Sequence, residues 1–272
     1  MRVGFIGLGS QGGPMARAIV DGGHDTTLWA RRPASLEPYA DTTAKVAGSP
    51  AELGALSDLV CLCVVGDADV EEVLGGDNGV LAGLAAGGIV AIHSTVHPDT
   101  CRRLAETAAA KGVSVIDAPV SGGAPAVEEK RLLMMVGGHP DVIERCRPVF
   151  ETYANPVVHL GGLGSGQVTK LLNNLLFTAN LANAKTALDL GEALGLNASS
   201  LGDVLTRGSG NSSALGSIAK MGGSLDVITQ VAGALLQKDA RLVVDIAEKS
   251  GESPGAVLDA ADAALTILGY PR

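Results

Sequence analysis

Residues 3–12 read VGFIGLGSQG. Val3–Ile6 is a short apolar run of strand length, and Pro14–Asp21 behind it has helical patterning. Between them, Gly7-Leu8-Gly9-Ser10-Gln11-Gly12 is a G-x-G-x-x-G at a strand-to-helix turn. There the first glycine makes the tight turn, and the second lets backbone approach a pyrophosphate. The third packs helix against strand. Amides at the helix start, aided by its dipole, then hold the phosphates. The spacing predicts a dinucleotide site over Gly7, Leu8, Gly9, Ser10, Gln11 and Gly12; a glycine turn without a ligand is the competing reading.

Outward from this turn, apolar runs alternate with helical stretches. The runs are Val3–Ile6, Thr26–Trp29, Leu59–Val65, Ile89–Ile92, Val113–Ile116, Leu132–Val136 and Val157–Leu160, with Pro14–Asp21, Asp69–Leu74, Pro98–Lys111 and Pro140–Thr152 among the helices between them. Such alternation predicts crossover units and a largely parallel sheet. After Gly161 the strand signal stops, and Gln167–Leu194, Ser199–Thr206, Ser213–Met221, Ala232–Ser250 and Pro254–Leu268 read as helices. The expected class is α/β: an N-terminal Rossmann doubly wound sheet over residues 1–162, then an all-α C-terminal domain over 163–272. A helix of roughly 40 Å from Gln167 is long for the second domain and is expected to reach into a partner subunit; a kinked helix inside a monomer is the alternative.

Composition narrows the function classes. Hydrophobic residues make up 46% of the 272 and charged residues 18%, so a large core is available; aromatics are 3% and glycines number 37, so that core is aliphatic. Net charge is −9 with no basic run longer than Arg31-Arg32, which argues against nucleic-acid or acidic-membrane partners. Cys61, Cys63, Cys101 and Cys146 have no zinc spacing, and Cys61 and Cys63 alternate as buried small residues on one strand face. The start is too short and glycine-broken for a secretory segment, and no long apolar run lacks polar interruption. A soluble, cytoplasmic protein without a metal is expected.

The second run ends Leu28-Trp29-Ala30-Arg31-Arg32. An NAD site normally has an acid there for the ribose diol. Here Arg31 and Arg32 are suited to a 2′-phosphate, predicting NADP over NAD, unless both are merely solvated. Val64 and Val65, closing the Leu59–Val65 run, are counted with the cofactor site. His93-Ser94-Thr95 closes the Ile89–Ile92 run, at the sheet edge where ligands bind, and puts Thr95 by the nicotinamide. The alternative for Ser94 or Thr95, a helix cap, fits Asp99 better.

Asp117-Ala118-Pro119-Val120-Ser121-Gly122-Gly123 closes the Val113–Ile116 run. Ser121 and the amides of Gly122 and Gly123 form a polar nest suited to a carboxylate, or else a flexible loop. Residues 161–174, GGLGSGQVTKLLNN, open the long helix with Lys170, Asn173 and Asn174 spaced to share a face. Burial lowers a lysine pKa toward the range useful for proton transfer; snorkelling to water is the other reading. Lys238-Asp239 lies in an apolar helical stretch, where a salt-bridged pair is the simple reading.

Four segments in order, GFIGLGSQG at 4–12, DAPVSGG at 117–123, GSGQVTKLLNN at 164–174 and KD at 238–239, resemble the β-hydroxyacid dehydrogenase family. The resemblance covers nearly the whole chain. It implies Lys170 as catalytic acid/base. Ser121, Gly122, Gly123 and Asn174 would hold the substrate carboxylate and hydroxyl, with Asn173 beside them. Thr95 and Lys238 would contact the nicotinamide end, and Arg31 would match the NADP-using members. It implies a homodimer or homotetramer built through the long helix. The departures are Gln11 for Met, Lys130-Arg131 for glycine and a small polar residue, and Val231 for a Phe over the substrate. They surround the pocket, so the acid itself is not named. The expected reaction is hydride transfer between NADP(H) and a small β-hydroxy acid or its semialdehyde. Reduction of an imine or non-acid carbonyl, and non-enzymatic NADPH binding, are the alternatives; Lys170 argues against the imine reductases.

Overall fold

The structure, a computed structural model, describes residues 1–272. It contains two compact units, Met1–Lys170 and Leu171–Arg272. Residues 163–170, grouped with the helical region from sequence pattern, pack with the first unit.

In the first unit, β1 (Val3–Ile6), β2 (Thr26–Trp29), β3 (Lys45–Val46), β4 (Leu59–Leu62), β5 (Ile89–Ile92) and β6 (Ser114–Asp117) form a six-stranded sheet in the order β3-β2-β1-β4-β5-β6. Every pairing is parallel; Val3 stands beside Thr26 on one side and Leu59 on the other. Helices on both faces bury β1, β4 and β5 completely, which is why these strands are apolar at every position instead of alternating. The helices are α1 (Gly12–Asp21), α2 (Pro50–Ala55), α3 (Asp67–Gly75), α4 (Val80–Gly83) and α5 (Pro98–Ala109). Cys61 packs with Val3, Phe5 and Met15, and Cys63 borders the same cluster. The strand order reverses direction between β1 and β4, so the connections leaving these two strands diverge there, the place where open sheets form a crevice at the carboxyl ends.

A three-stranded sheet follows: β7 (Val120–Ser121), β8 (Leu132–Val136) and β9 (Ala154–His159), in that order. The helices α6 (Gly123–Glu128) and α7 (Pro140–Phe150) lie between its strands in sequence. The two sheets are stitched by a bridge between Asp117 and Gly137, whose amides and carbonyls exchange hydrogen bonds of 3.1 and 2.8 Å. The run expected to reach Val65 leaves the sheet after Leu62, and Cys63–Val65 become loop. β3 and β7, two residues each, are too short to carry a periodic signal.

The helix α8 (Ser165–Ala193) has 29 residues and runs about 43 Å. Within the second unit it is joined by α9 (Ala198–Arg207), α10 (Ser213–Lys220), α11 (Asp226–Lys249) and α12 (Ala256–Ile267). Leu171, Leu175, Ala179 and Ala182 lie on one face of α8, with Ile218, Leu236, Ala240, Val243 and Leu265 in the same core. The ring of Tyr270 lies against Gly233, where an added Cβ would come within 2.4 Å of it. No helix is long and apolar enough to cross a membrane.

Candidate functional site

The β1–α1 turn divides its three glycines into two kinds. Gly7 has φ +100°, and a Cβ there would sit 2.1 Å from the Cys63 carbonyl oxygen. A Cβ on Gly12 would sit 2.0 Å from the Gly7 carbonyl oxygen. Both are dictated by the fold. A Cβ on Gly9 would meet nothing within 4 Å. Its bareness serves no packing purpose and leaves the backbone open to a ligand. Gln11 precedes α1 without any side-chain cap and the first turn holds no acid, so the helix presents amides to the crevice. Gln11 itself donates to the Met15 sulfur at 3.6 Å.

At the end of β2, Arg31 and Arg32 are exposed. The Arg31 guanidinium donates to Asp69 at 3.3 Å and Glu72 at 3.0 Å, both on α3. At the end of β4, the Val64 amide donates to the Ser94 hydroxyl at 2.8 Å, and Val65 is exposed. Ser94 thus fastens the loop after β4 to the end of β5. Thr95 is half-buried. The helix after it is capped neither by Asp99 nor by Thr95: the Nδ1 of His97 accepts the Asp99 amide at 3.0 Å. His139 caps α7 in the same way, through the Asp141 amide.

Two residues outside the sequence-based set organise this edge. The carboxamide of Gln167, fully buried, donates to the Ser94 carbonyl at 2.8 Å and accepts from the Val96 amide at 3.1 Å. These groups flank Thr95 and point the same way along the strand, so Gln167 pairs with the strand end as a neighbouring strand would. Asp117 is also fully buried; its Oδ1 accepts from the Gly164 amide and its Oδ2 from the Gln167 amide, each at 2.7 Å. Burial pushes the Asp117 carboxyl above its usual range, and the amides of Gly164 and Gln167 pull against that. The carboxylate sits where the dipole of α8 favours negative charge. The only signals in the sequence were an acid inside DAPVSGG and a glutamine just after glycine; neither type is distinctive.

Lys170 is half-buried and is the last residue of the first unit. It follows Gln167 by three residues and so shares its helix face, the face turned to the end of β5. After β7, Gly122 and Gly123 have φ +133° and +70°. A Cβ on Gly122 would also come within 2.6 Å of Ala126, so the bend beside half-buried Ser121 needs glycine.

In the second unit, Asn173 donates to Asn174 at 3.1 Å, and Asn174 donates to Asp239 at 2.6 Å. Asp239 is buried and lies 2.9 Å from the Lys238 ammonium. The pair at 238–239 is therefore salt-bridged, as its simple reading had it, and Asp239 in addition orients the Asn174 carboxamide. Of the departures, Lys130 is left-handed at φ +52° and Val231 is exposed. No group of His, Cys, Asp or Glu side chains has a metal-binding arrangement.

Residues 2–161 match the NAD binding domain of 6-phosphogluconate dehydrogenase. Residues 164–265 match the model described as NAD-binding of NADP-dependent 3-hydroxyisobutyrate dehydrogenase. The chain is 35% identical to 3-hydroxyisobutyrate dehydrogenase of Pseudomonas aeruginosa, over 78% of this chain and 72% of that one. It is 31% identical to an NAD-dependent L-serine dehydrogenase of the same organism, over 93% and 87%. A solved structure of Mycobacterium tuberculosis 3-hydroxyisobutyrate dehydrogenase with L-serine superposes with a TM-score of 0.85 at 29% identity, covering 98% of this chain and 94% of that one. With family matches across both units, the chain belongs to the β-hydroxyacid dehydrogenase family and is an NAD(P)-dependent dehydrogenase.

Proposed function

We propose that the protein moves hydride reversibly between NADP(H) and a small β-hydroxy acid or its semialdehyde, with Lys170 as general acid/base. The observation that carries this reading is the Gln167 pairing with Ser94 and Val96, which turns the face bearing Lys170 toward the end of β5. That edge, beside Gly7–Gly12, is where open α/β sheets place ligands. The bound nicotinamide supplies or takes the hydride. In the reducing direction Lys170 gives its proton to the carbonyl oxygen as that oxygen gains charge, and in the oxidising direction it takes the hydroxyl proton. Asn174 gives one N–H of its carboxamide to Asp239 and keeps the second to donate to the same oxygen. Ser121 and the amides of Gly122 and Gly123 hold the carboxylate, which fixes the reacting carbon. Relatives named for 3-hydroxyisobutyrate and L-serine share that pattern of carboxylate and β-hydroxyl.

Gly7, Leu8, Gly9, Ser10, Gln11 and Gly12 hold the pyrophosphate in this reading. Val64, Val65 and Thr95 line the cofactor, Lys238 meets its nicotinamide end, and Arg31 with Arg32 favours the 2′-phosphate of NADP. The helical unit, residues 163–272 in the sequence-based division, carries the contacts of a homodimer or homotetramer. Leu190 near the end of α8 and Leu194 just past it, 60% and 72% exposed, support that assignment; light scattering of Leu190→Glu/Leu194→Glu tests it, since a loss of mass is expected. The deciding experiment is NADPH oxidation over glyoxylate and succinic, methylmalonic and tartronic semialdehydes. Turnover of at least one, and a fall in kcat of about 10²–10⁴ in Lys170→Ala with NADPH still bound, is expected. Wild-type turnover in that variant defeats the assignment.

A further inference from the structure

Asp117 and Gln167 take no part in the chemistry just described, yet they join the segments on which it depends. Asp117 belongs to the last strand of the main sheet, and each of its oxygens holds one amide at the start of α8. Attachment at two points holds the first turn of α8, within the first unit, against the end of β6. Gln167, inside that first turn, then grips the strand end on either side of Thr95. The packing leaves no slack. A Cβ on Gly137 would stand 2.4 Å from Asp117 Oδ1, and one on Gly166 would stand 2.8 Å from Oδ2 and 2.4 Å from the Met135 carbonyl oxygen. A serine or aspartate of the local chain would satisfy helix amides as well. A carboxylate supplied by a strand ties the helix to the sheet besides. Burying a charge is a poor way to gain stability, so registry is the contribution this geometry makes.

We propose that Asp117 and Gln167 are positioning residues that hold Lys170 in register with Thr95 at the cofactor edge. This rests on Lys170 being the proton donor. A misplacement of about 1 Å at a reacting group lowers rate by up to ~10²-fold. Loss of either residue therefore acts on the proton-transfer step and leaves the dinucleotide turn, built by other residues, intact.

The test uses the full-length enzyme with NADPH and whichever of the four carbonyl substrates above the wild type turns over fastest. Asp117→Asn keeps the shape but only one acceptor oxygen, and its amide faces a second donor. Gln167→Met keeps the volume and removes both strand contacts. Each variant is expected to lose about 10- to 100-fold in kcat. KM and the NADPH dissociation constant, read by NADPH fluorescence, should stay within about two-fold. The solvent deuterium isotope effect on kcat should rise as proton transfer becomes limiting. Should Asp117→Asn fail to fold, Gln167→Met gives the same readouts. Lys170→Ala is run alongside. If Lys170→Ala is inactive while both folded variants turn over at the wild-type rate with an unchanged isotope effect, the positioning role is wrong and the lysine reading survives. If Lys170→Ala is itself fully active, the lysine reading falls first. A parallel loss of NADPH affinity also overturns the proposal, because it would mean collapse of the cofactor site.

Discussion

The Tyr153 hydroxyl lies 3.2 Å from Nε2 of His93, whose Nδ1 lies 2.7 Å from the Ala118 carbonyl oxygen. The carbonyl can only accept, so Nδ1 carries the proton and Nε2 accepts from tyrosine. The ring is neutral, packed among Phe5, Phe150 and Tyr153, and joins the end of β5 to the segment after β6. Burial pushes the His93 pKa down from 6.5 to about 4, partly countered by the Ala118 contact. Between those values the unfolded chain binds a proton that the folded one refuses. The His93 contribution is thus intact above pH 6.5 and is lost as pH falls toward 4, on the order of 3 kcal/mol in all. Asp117 works the other way, since burial raises its carboxyl and protonation on acidification favours the folded form. Urea unfolding of wild type and His93→Gln at pH 7 and 4.5 checks this. The wild type should lose more stability than the variant, and equal losses would assign the acid sensitivity to other groups.

The three glycines of the β1–α1 turn should separate folding from binding. Gly7→Ala and Gly12→Ala force a Cβ to about 2 Å from a backbone oxygen, and both should destabilise by several kcal/mol or fail to fold. Gly9→Ala has open space around its Cβ and should melt within a degree or two of wild type. It should nevertheless bind NADPH at least about ten-fold more weakly, because the methyl stands between backbone and pyrophosphate. Thermal melts paired with fluorescence titration read both quantities. Unimpaired binding in Gly9→Ala would place the phosphates elsewhere.

Lys130 holds φ +52° in a tight bend between Glu129 and Arg131, which are ion-paired with each other. A left-handed non-glycine residue costs about 1 kcal/mol. Lys130→Gly should therefore raise the melting temperature by about 2–4 °C. A drop would show that the lysine side chain contributes more than its backbone costs.

Arg31 is shared between Asp69 and Glu72, so a 2′-phosphate has to draw it from two acids. Exposed pairs of this kind are each worth at most about 1 kcal/mol. Asp69→Asn/Glu72→Gln should raise kcat/KM for NADPH about two- to five-fold and leave that for NADH unchanged. Arg31→Ala should do the reverse. A wild-type preference for NADH, unaltered by either change, would remove Arg31 from cofactor choice.

The strands and main helices were legible because parallel strands buried on both faces are written as continuous apolar runs, and because glycine and proline punctuate them. β1, β2, β5 and β8 fall on the same residues in sequence and structure. The Gly7–Gly12 turn was legible because two of its glycines obey steric rules that any such turn imposes. What stayed hidden is of a different kind. Asp117 and Gln167 act across 47 to 73 residues of chain. Their partners are mostly backbone groups, which leave no mark in a sequence. The His97 and His139 caps were hidden because histidine is an uncommon cap, and Asp99 beside it has the commoner chemistry.

The carboxylate that starts α8 lies 47 residues upstream of the first amide it holds. The address of Lys170 is consequently written in β6 and not in the chain that leads up to the helix. Changes of sequence on the exposed face of α7 can therefore occur without moving the first turn of α8, provided the buried residues of α7 and β9 keep their place.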